Sequence, residues 1–205
     1  QEISDPAAVR AWSRTARAQG GRVGFVATMG YLHQGHLRLV EHAAARADRV
    51  AMSIFVNPLQ FGPGEDFARY PRDPERDRAH ARERGVHCLF LPEARELYRA
   101  DPLVRVQPGS LAAHLCGPFR PGHFEGVLTV VAKLFHLVEP DVAVFGRKDA
   151  QQAAMVRRMV ADLDFPSLLP NRNLLPGDAV RFTVKDAAVY AVTLPLLLAL
   201  TGFVK

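Results

Sequence analysis

The chain has 205 residues, of which 48% are hydrophobic and 23% are charged, and its formal net charge is +5 at pH 7. This composition can fill a buried core and argues against a disordered chain, and the length fits one large domain, or one domain with a fragment of a second. The excess basic residues are scattered among acidic ones without a nucleic-acid recognition motif, which argues against nucleic-acid binding and is compatible with small anionic substrates.

Strands and helices are predicted to alternate along most of the chain. Short apolar runs predict strands at residues 23–28, 50–56, 86–91, 103–107 and 142–145. Helical spacing of apolar residues, with glycine or proline at the ends, predicts helices at residues 7–19, 36–47, 74–84, 93–98, 124–138 and 149–163. The mixed charges of the helix at 74–84 are typical of a solvated helix face.

The repeated strand–helix order predicts an α/β fold with a parallel sheet. Ligands of such sheets bind beyond the carboxyl ends of the strands. This rule directs attention to three polar loops, at residues 29–35, 57–64 and 146–149.

The first of these loops contains the strongest chemical motif, H-x-G-H, between a strand and a helix. Its two histidines, His33 and His36, are three residues apart, so both rings can converge on one ligand. Gly30 and Gly35 allow the backbone to approach that ligand closely, and a helix N-terminus favours phosphate. We therefore predict a site for attack on an α-phosphate, with imidazole N–H donors stabilising the developing charge. Two ordinary histidines, or a zinc site that needs a third ligand, are the alternatives.

The second loop contains Asn57 and Gln60 directly after a strand. Their amides can hydrogen-bond a small hydroxy acid without adding charge, although a strand-ending turn would also explain them. A further motif, R-P-G-H-F-E-G at residues 120–126, places Arg120 and His123 at the start of the long helix at 124–138. A turn with a helix cap is the simpler explanation of that motif.

The third loop contains Lys148 and Asp149 between a strand and a helix. A lysine at this position can hold a phosphate as a point charge. Asp149 can hold ribose or magnesium, or can cap the helix. The sequence leaves these roles of Asp149 open.

The cysteines and the chain ends bear on location. Cys88 and Cys116 have no metal-binding or C-x-x-C spacing, and Cys88 is predicted to be a buried thiol within an apolar run. Residues 1–6 do not resemble a signal peptide, and the absence of a disulfide framework favours the cytoplasm. The charge-free run at 187–204 is long enough for a short membrane span, but we favour a buried helix or strand pair, and expect no membrane association.

Together these motifs resemble the pantothenate synthetases (pantoate–β-alanine ligases) in their order and separations, from about residue 23 to residue 166. The segments R-Y-P at 69–71 and V-R-R-M-V-A-D-L at 156–163 add to the resemblance. It implies a Rossmann-like parallel sheet with helices on both faces, within the nucleotidylyl-transferase group. It also implies that pantoate attacks ATP to give pantoyl-adenylate and pyrophosphate, after which β-alanine displaces AMP. Magnesium and a homodimer are implied as well.

The resemblance assigns site residues in three groups and leaves the metal ligands unassigned. The residues implied in catalysis are His33, His36 and Lys148. Those implied in ATP binding are Thr28, Met29, Gly30, His33, Gly35, His36, Gly146, Lys148, Asp149 and Arg172. Gln60 and Gln152 are implied to hold pantoate, and the residues implied near the pantoate and β-alanine end are Asn57, Tyr70, Arg120 and His123.

The sequence departs from the family pattern at several points. Ala27 stands where proline is usual, and Arg147 stands where glutamate is common. After residue 166 the P-T-x-R-E-x-D-G-L-A segment that is usual in the family is missing. Arg172 and Asn173 would be the last two residues of the family's S-S-R-N motif, without its two serines. We therefore expect an ATP- and pantoate-binding domain at 1–166 and, at 167–205, a remnant of the phosphate-closing loop with a truncated or incomplete C-terminal domain.

Two explanations of this departure stay open: a spliced or incompletely recorded sequence, and a shortened homologue of weak or no activity. The alternative functions are another H-x-G-H nucleotidylyl transferase and a catalytically weak nucleotide-binding protein. Gln60 and Gln152 favour the ligase, because amides suit a small hydroxy acid better than a phosphorylated alcohol.

Overall fold

The computed structural model describes residues 1–65, 67–98, 100 and 102–165, together with the backbone of residues 180–183. The strands are β1 (Glu2–Ile3), β2 (Val23–Thr28), β3 (Arg49–Ile54), β4 (Cys88–Phe90), β5 (Val142–Gly146) and β6 (Val180–Thr183). The α-helices are α1 (Pro6–Ala18), α2 (Gln34–Ala44), α3 (Pro74–Glu83), α4 (Ala94–Leu97), α5 (His123–Val138) and α6 (Ala150–Asp162). Short 3-10 helices lie at Pro58–Gln60, Gly109–Ala113, Gly117–Phe119 and Arg147–Asp149.

The six strands form one sheet in the order β1-β4-β3-β2-β5-β6, and every neighbouring pair is parallel. From β2 the chain first builds outwards through β3 and β4, and it later returns to the other side of β2 with β5. The strand order therefore reverses between β2 and β5. In open α/β sheets, such a switch point leaves a crevice at the carboxyl ends of the strands.

Helices cover both faces of the sheet, as predicted. On one face α1, α5 and α6 pack against Phe25, and the Phe135 ring of α5 lies 6.3 Å from it. On the other face α2 and α3 pack against Val26 and Met52. Residues 25 and 26 lie in different cores because successive side chains of a strand point to opposite faces.

Local signals set the helix starts. Asp5 accepts a hydrogen bond from the Ala8 amide at 2.6 Å, and Pro6 occupies the first position of α1. Asp73 accepts one from the Arg76 amide at 3.2 Å, and Pro74 opens α3. Both starts combine a capping carboxylate with a proline whose missing N–H costs the helix nothing.

Most of the predicted elements are confirmed within one to three residues. The predicted strand at 103–107 is wrong: Leu103 is fully exposed, and the backbone amide of Val106 donates to Thr129 Oγ1 of α5 at 3.0 Å rather than to a strand. Cys88 is buried, as predicted. Strands β1 and β6 were not predicted.

Two predictions lie outside the described residues: the apolar run at 187–204, and the second domain at 167–205 apart from the backbone of β6. Where the structure does describe helices, none combines the length and the apolar character that crossing a bilayer requires.

Candidate active site

A cavity of about 310 Å³ lies at the switch point of the sheet. The loops that follow β2, β3 and β5 supply its polar wall, and apolar residues of α5 such as Val127 and Val131 supply its floor. All three loops that the sequence singled out therefore contribute to one cavity. Its predicted site residues are Thr28, Met29, Gly30, His33, His36, Gln60, Tyr70, Lys148, Asp149 and Gln152.

The two histidines of the first loop form the start of α2. His33 is the N-cap residue, and its Nδ1 accepts the Gly35 amide at 3.0 Å. In return, Nδ1 of His36 accepts the His33 amide at 3.4 Å. The rings lie 4.1 Å apart, and a Cβ on Gly35 would come within 2.7 Å of the His33 ring. Residue 35 must therefore be glycine for His33 to fold back over the helix start.

These bonds also fix the tautomers. Because Nδ1 of each ring accepts a backbone N–H, the proton of each neutral imidazole is on Nε2. Burial lowers the pKa of His36 to about 3, with smaller electrostatic effects of His33 and Lys148 in the same direction. Loss of solvent and Lys148 likewise lower the pKa of His33, against the opposing effect of Asp149. At neutral pH both rings are thus uncharged N–H donors in the cavity wall.

The second loop presents Gln60 through a buried turn. Asn57 uses its whole amide within this turn: Nδ2 donates to Gln60 Oε1 at 3.2 Å and to Gly126 O at 3.1 Å, while Oδ1 accepts from the Leu59 amide at 3.3 Å and from Tyr98 Oη at 3.0 Å. Asn57 is 1% exposed and does not line the cavity. It therefore holds Gln60 in place rather than facing a ligand.

The amide of Gln60 has a defined orientation. Its Oε1 faces Asn57, and its Nε2 lies 2.9 Å from Met29 Sδ at the cavity wall. A thioether sulfur is a weak acceptor. Gln60 therefore offers the cavity an N–H donor that a ligand oxygen can take over.

Arg120 and His123 lie behind Gln60 instead of lining the cavity. Arg120 forms a bidentate ion pair with Glu65, at 2.7 Å and 2.9 Å, and this pair lowers the pKa of the Glu65 carboxyl. Nη1 of Arg120 donates to His123 Nε2 at 2.9 Å, and His123 Nδ1 donates to Gln60 O at 2.8 Å. Since both nitrogens are engaged in this way, His123 is neutral, in agreement with a pKa that burial lowers.

The third loop contributes Lys148 and Asp149, both exposed, from the 3-10 helix after β5. Asp149 makes no side-chain cap bond to α6, so its carboxylate is not committed to the helix start. Tyr70 closes the cavity from the side of β3, and burial, with Asp77 and Asp149 nearby, raises the pKa of its phenol. Gly146 ends β5 beside these residues, and Arg172 lies outside the described residues.

No role in the site was predicted for four residues that support it: Glu65, Asp77, Tyr98 and Gly126. Gly126 is the least replaceable, because a Cβ there would lie 2.2 Å from Leu59 O and 2.6 Å from the Gln60 amide nitrogen. In the sequence, the signal was a glycine within an apolar helix, which often marks a close backbone approach. Asp77 was missed because the charged residues of α3 were all assigned to a solvated face, whereas Asp77 is 2% exposed.

Comparisons with known proteins place the chain in one family. The family model described as pantoate-beta-alanine ligase matches residues 1–174. The pantothenate synthetase of Heliobacterium modesticaldum is 58% identical over 76% of this chain and 56% of its own length. That of Acidothermus cellulolyticus is 60% identical over 75% of this chain and 51% of its own length. The chain thus spans little more than half the length of these curated relatives.

The fold is also similar to solved structures of the same family. The pantothenate synthetase of Thermus thermophilus matches with a TM-score of 0.78 and 49% identity, over 91% of this chain and 63% of that one. The pantoate-beta-alanine ligase of Francisella tularensis, complexed with beta-gamma ATP and beta-alanine, matches with a TM-score of 0.79 and 32% identity, over 91% of this chain and 68% of that one.

Proposed function

Because the chain belongs to the pantoate–β-alanine ligase family, we propose that it condenses pantoate with β-alanine at the expense of ATP. The observation that carries this proposal is the single cavity at the switch point. It combines two neutral imidazole donors and a lysine, which suit phosphates, with the amide of Gln60, which suits an oxygen-rich acid. A nucleotide site beside an acid site is what acyl-adenylate formation requires.

The reaction would proceed in two steps. A carboxylate oxygen of pantoate attacks the α-phosphorus of ATP, and the bond to the β-phosphate breaks to release pyrophosphate. The amine of β-alanine then attacks the acyl carbon, the bond to AMP breaks, and the amine loses a proton. In this scheme His33, His36 and Lys148 donate to the phosphate oxygens as charge develops. Gln60 and Gln152 hold pantoate in line for attack.

Magnesium is part of the proposal, as the companion of ATP. Mg²⁺ usually binds to one or two carboxylates together with substrate phosphates. Asp149 is the carboxylate that lines the cavity among the described residues, so it fits this role. Within the same part of the chain, no group of three or more histidine, cysteine or carboxylate side chains is arranged to hold a metal ion.

The roles of the remaining site residues are also part of the proposal. Thr28, Met29, Gly30, Gly35 and Gly146 would shape the ATP side. On the acid side, Tyr70 would face the substrates, while Asn57, Arg120 and His123 would hold Gln60 from behind. A homodimer in the cytoplasm is the expected state of the protein.

The test is the substrate dependence of AMP release. We expect AMP only when ATP, pantoate and β-alanine are all present, and exchange of labelled pyrophosphate into ATP with pantoate alone. AMP or pyrophosphate release with neither acid would favour another nucleotidylyl transferase. ATP binding by calorimetry without any turnover would favour a non-catalytic nucleotide-binding protein.

A pair of lysine variants links this activity to the cavity. Lys148→Met removes the charge at the cavity wall, and we expect pyrophosphate exchange to fall by about 100-fold or more. Lys133→Met is the matched control, because Lys133 does not line the cavity. Lys133 belongs to α5, and its Nζ lies 5.7 Å from the centroid of the Tyr98 ring. Equal losses in the two variants would show that the charge at 148 has no special role.

A further inference from the structure

Asp77 is a buried charged residue whose carboxylate contacts the H-x-G-H loop from a different element. It lies in the first turn of α3 and is 2% exposed. Its Oδ2 accepts the Tyr31 amide at 2.8 Å, and its Oδ1 accepts the Leu32 amide at 2.7 Å. Both oxygens are thus bonded to the backbone just before His33, more than forty residues earlier in the chain.

The backbone that Asp77 holds is in an unusual conformation. Gly30 has φ of 85° and Tyr31 has φ of 50°, so two successive residues lie in the left-handed region. Glycine adopts this region freely, but a tyrosine does so only where its surroundings hold it there. A Cβ on Gly30 would lie 2.8 Å from Asp77 Oδ2, so the glycine also makes room for the carboxylate. The turn and its clamp therefore fit each other.

We propose that Asp77 is a positioning residue for the first half of the proposed reaction, on which this inference rests. Its carboxylate holds residues 30–32 in the left-handed turn. This conformation places His33 at the N-cap of α2, where the imidazoles of His33 and His36 present Nε2–H to the cavity. Asp77 acts through these histidines and not on the substrate.

The decisive variant is Asp77→Asn, which keeps the shape but leaves one acceptor oxygen and points an NH₂ group at a backbone N–H. Asp141→Asn is the matched control. Asp141 Oδ2 accepts the Val23 amide at 2.7 Å at the amino end of the sheet, and its Oδ1 pairs with Arg17 at 3.4 Å, so that variant also weakens a carboxylate–amide contact but far from the cavity. Asp77→Asn should lose more stability in urea unfolding than Asp141→Asn, because Asp77 is buried and bonds two amides, so the readouts below are compared under conditions in which both variants are folded.

Two readouts separate positioning from stability. Nitrogen-15 NMR of the imidazoles should show shifted Nε2–H signals for His33 and His36 in Asp77→Asn, and unshifted ones in Asp141→Asn. Pantoate-dependent pyrophosphate exchange should lose about 10- to 100-fold in kcat in Asp77→Asn, since misplacement by about 1 Å can cost that much. The KM for pantoate should stay unchanged, because Gln60 is held by a separate turn.

A rescue variant tests the cause. In the Asp77→Asn background, Tyr31→Gly removes the side chain that resists the left-handed conformation, so the imidazole signals and part of the rate should recover. The proposal would be overturned if the double variant showed no recovery. It would also be overturned if Asp77→Asn left the histidine signals and kcat unchanged, or if Asp141→Asn had equal effects. If Asp77→Asn does not fold, the double variant Asp77→Asn/Tyr31→Gly is compared directly with the wild type. Imidazole signals and part of the rate near those of the wild type would then support the proposal, and their absence would overturn it.

Failure of the proposed function would look different. The wild-type chain would then show no pantoate-dependent exchange, whereas the imidazole signals would still shift in Asp77→Asn and not in Asp141→Asn. The positioning role would stand in that case, and the substrate assignment would fall.

Discussion

Gly126→Ala should impair the acid side of the cavity while leaving the fold intact. Gly126 lies on α5 directly beneath the 3-10 helix Pro58–Gln60, where an added Cβ would sit 2.2 Å from Leu59 O and 2.4 Å from its carbonyl carbon. Ordinary contacts of this kind are about 3.4 Å or longer, so the turn must retreat by about 1 Å. The bond from Asn57 Nδ2 to Gly126 O, now 3.1 Å, would then be stretched beyond hydrogen-bond range.

The expected magnitudes differ for stability and for rate. Overpacking costs about 1–3 kcal/mol, and the better helix propensity of alanine returns about 1 kcal/mol, so the free energy of unfolding should fall by about 0–2 kcal/mol. Displacing Gln60 by about 1 Å should cost about 100-fold in kcat/KM for pantoate. Because the histidine loop is held independently, the KM for ATP should not change.

The assay is steady-state AMP formation at varied pantoate, alongside urea unfolding. Gly62→Ala is the matched control, because it adds the same methyl group to the same loop with no atom within 4 Å and no left-handed φ. Asn57→Asp offers an independent route, since it removes both Nδ2 donors and should also raise the KM for pantoate. If Gly126→Ala is stable and retains wild-type kcat/KM, the turn does not position Gln60.

Three further changes probe the cavity and the ion pair behind Gln60. His36→Ala should slow pyrophosphate exchange by about 100-fold or more with little change in urea midpoint, because an N–H donor to the phosphates is lost; an unchanged rate would remove His36 from the site. Gln60→Ala should raise the KM for pantoate, and an effect confined to ATP would contradict the assignment. Glu65→Gln should cost less than about 1 kcal/mol in thermal unfolding, because the Glu65 and Arg120 side chains are each about one-third exposed.

The sheet could be predicted where the local pattern carries enough information. Strand β2 has its predicted bounds because an apolar run is followed closely by Gly30, which takes a left-handed turn. Strand β1, with two residues, is too short for any pattern and depends on its pairing with β4. The apolar residues at 103–107 do have a strand-like composition, but Leu103 has no sheet edge to join, so tertiary context overrides β-propensity there.

The cavity was easier to predict than its supports. His33, His36, Lys148 and Gln60 follow strands directly, and the rule for parallel sheets brings strand ends together without any knowledge of packing. The roles of Asp77 and Gly126 depend on which face of α3 or α5 meets a loop from elsewhere in the chain. A charged helix gives no such information, since one carboxylate among many charges looks solvated until its partners are known.

The two histidines also make a prediction about pH. In the folded protein the pKa of His36 is lowered to about 3 and that of His33 is lowered as well, whereas an unfolded histidine titrates near about 6.5. Below pH ~6.5 the unfolded state therefore binds protons that the folded state does not. His36 then removes about 1.4 kcal/mol of stability per pH unit, and the lowered pKa of His33 acts in the same direction.

Urea unfolding should consequently show a free energy that is constant from pH 8 to about pH 7 and falls as the pH drops from 6.5 towards 4.5. The lowered pKa of Glu65 acts only below this window, because a carboxyl group in the unfolded chain titrates near about 4.3. His36→Gln should reduce the slope of the unfolding free energy against pH by the amount that one bound proton contributes. A slope that is unchanged in that variant would mean that the pKa of His36 is the same in the folded and unfolded states. The surroundings would then not hold this imidazole neutral below pH ~6.5, even if the ligase activity were confirmed.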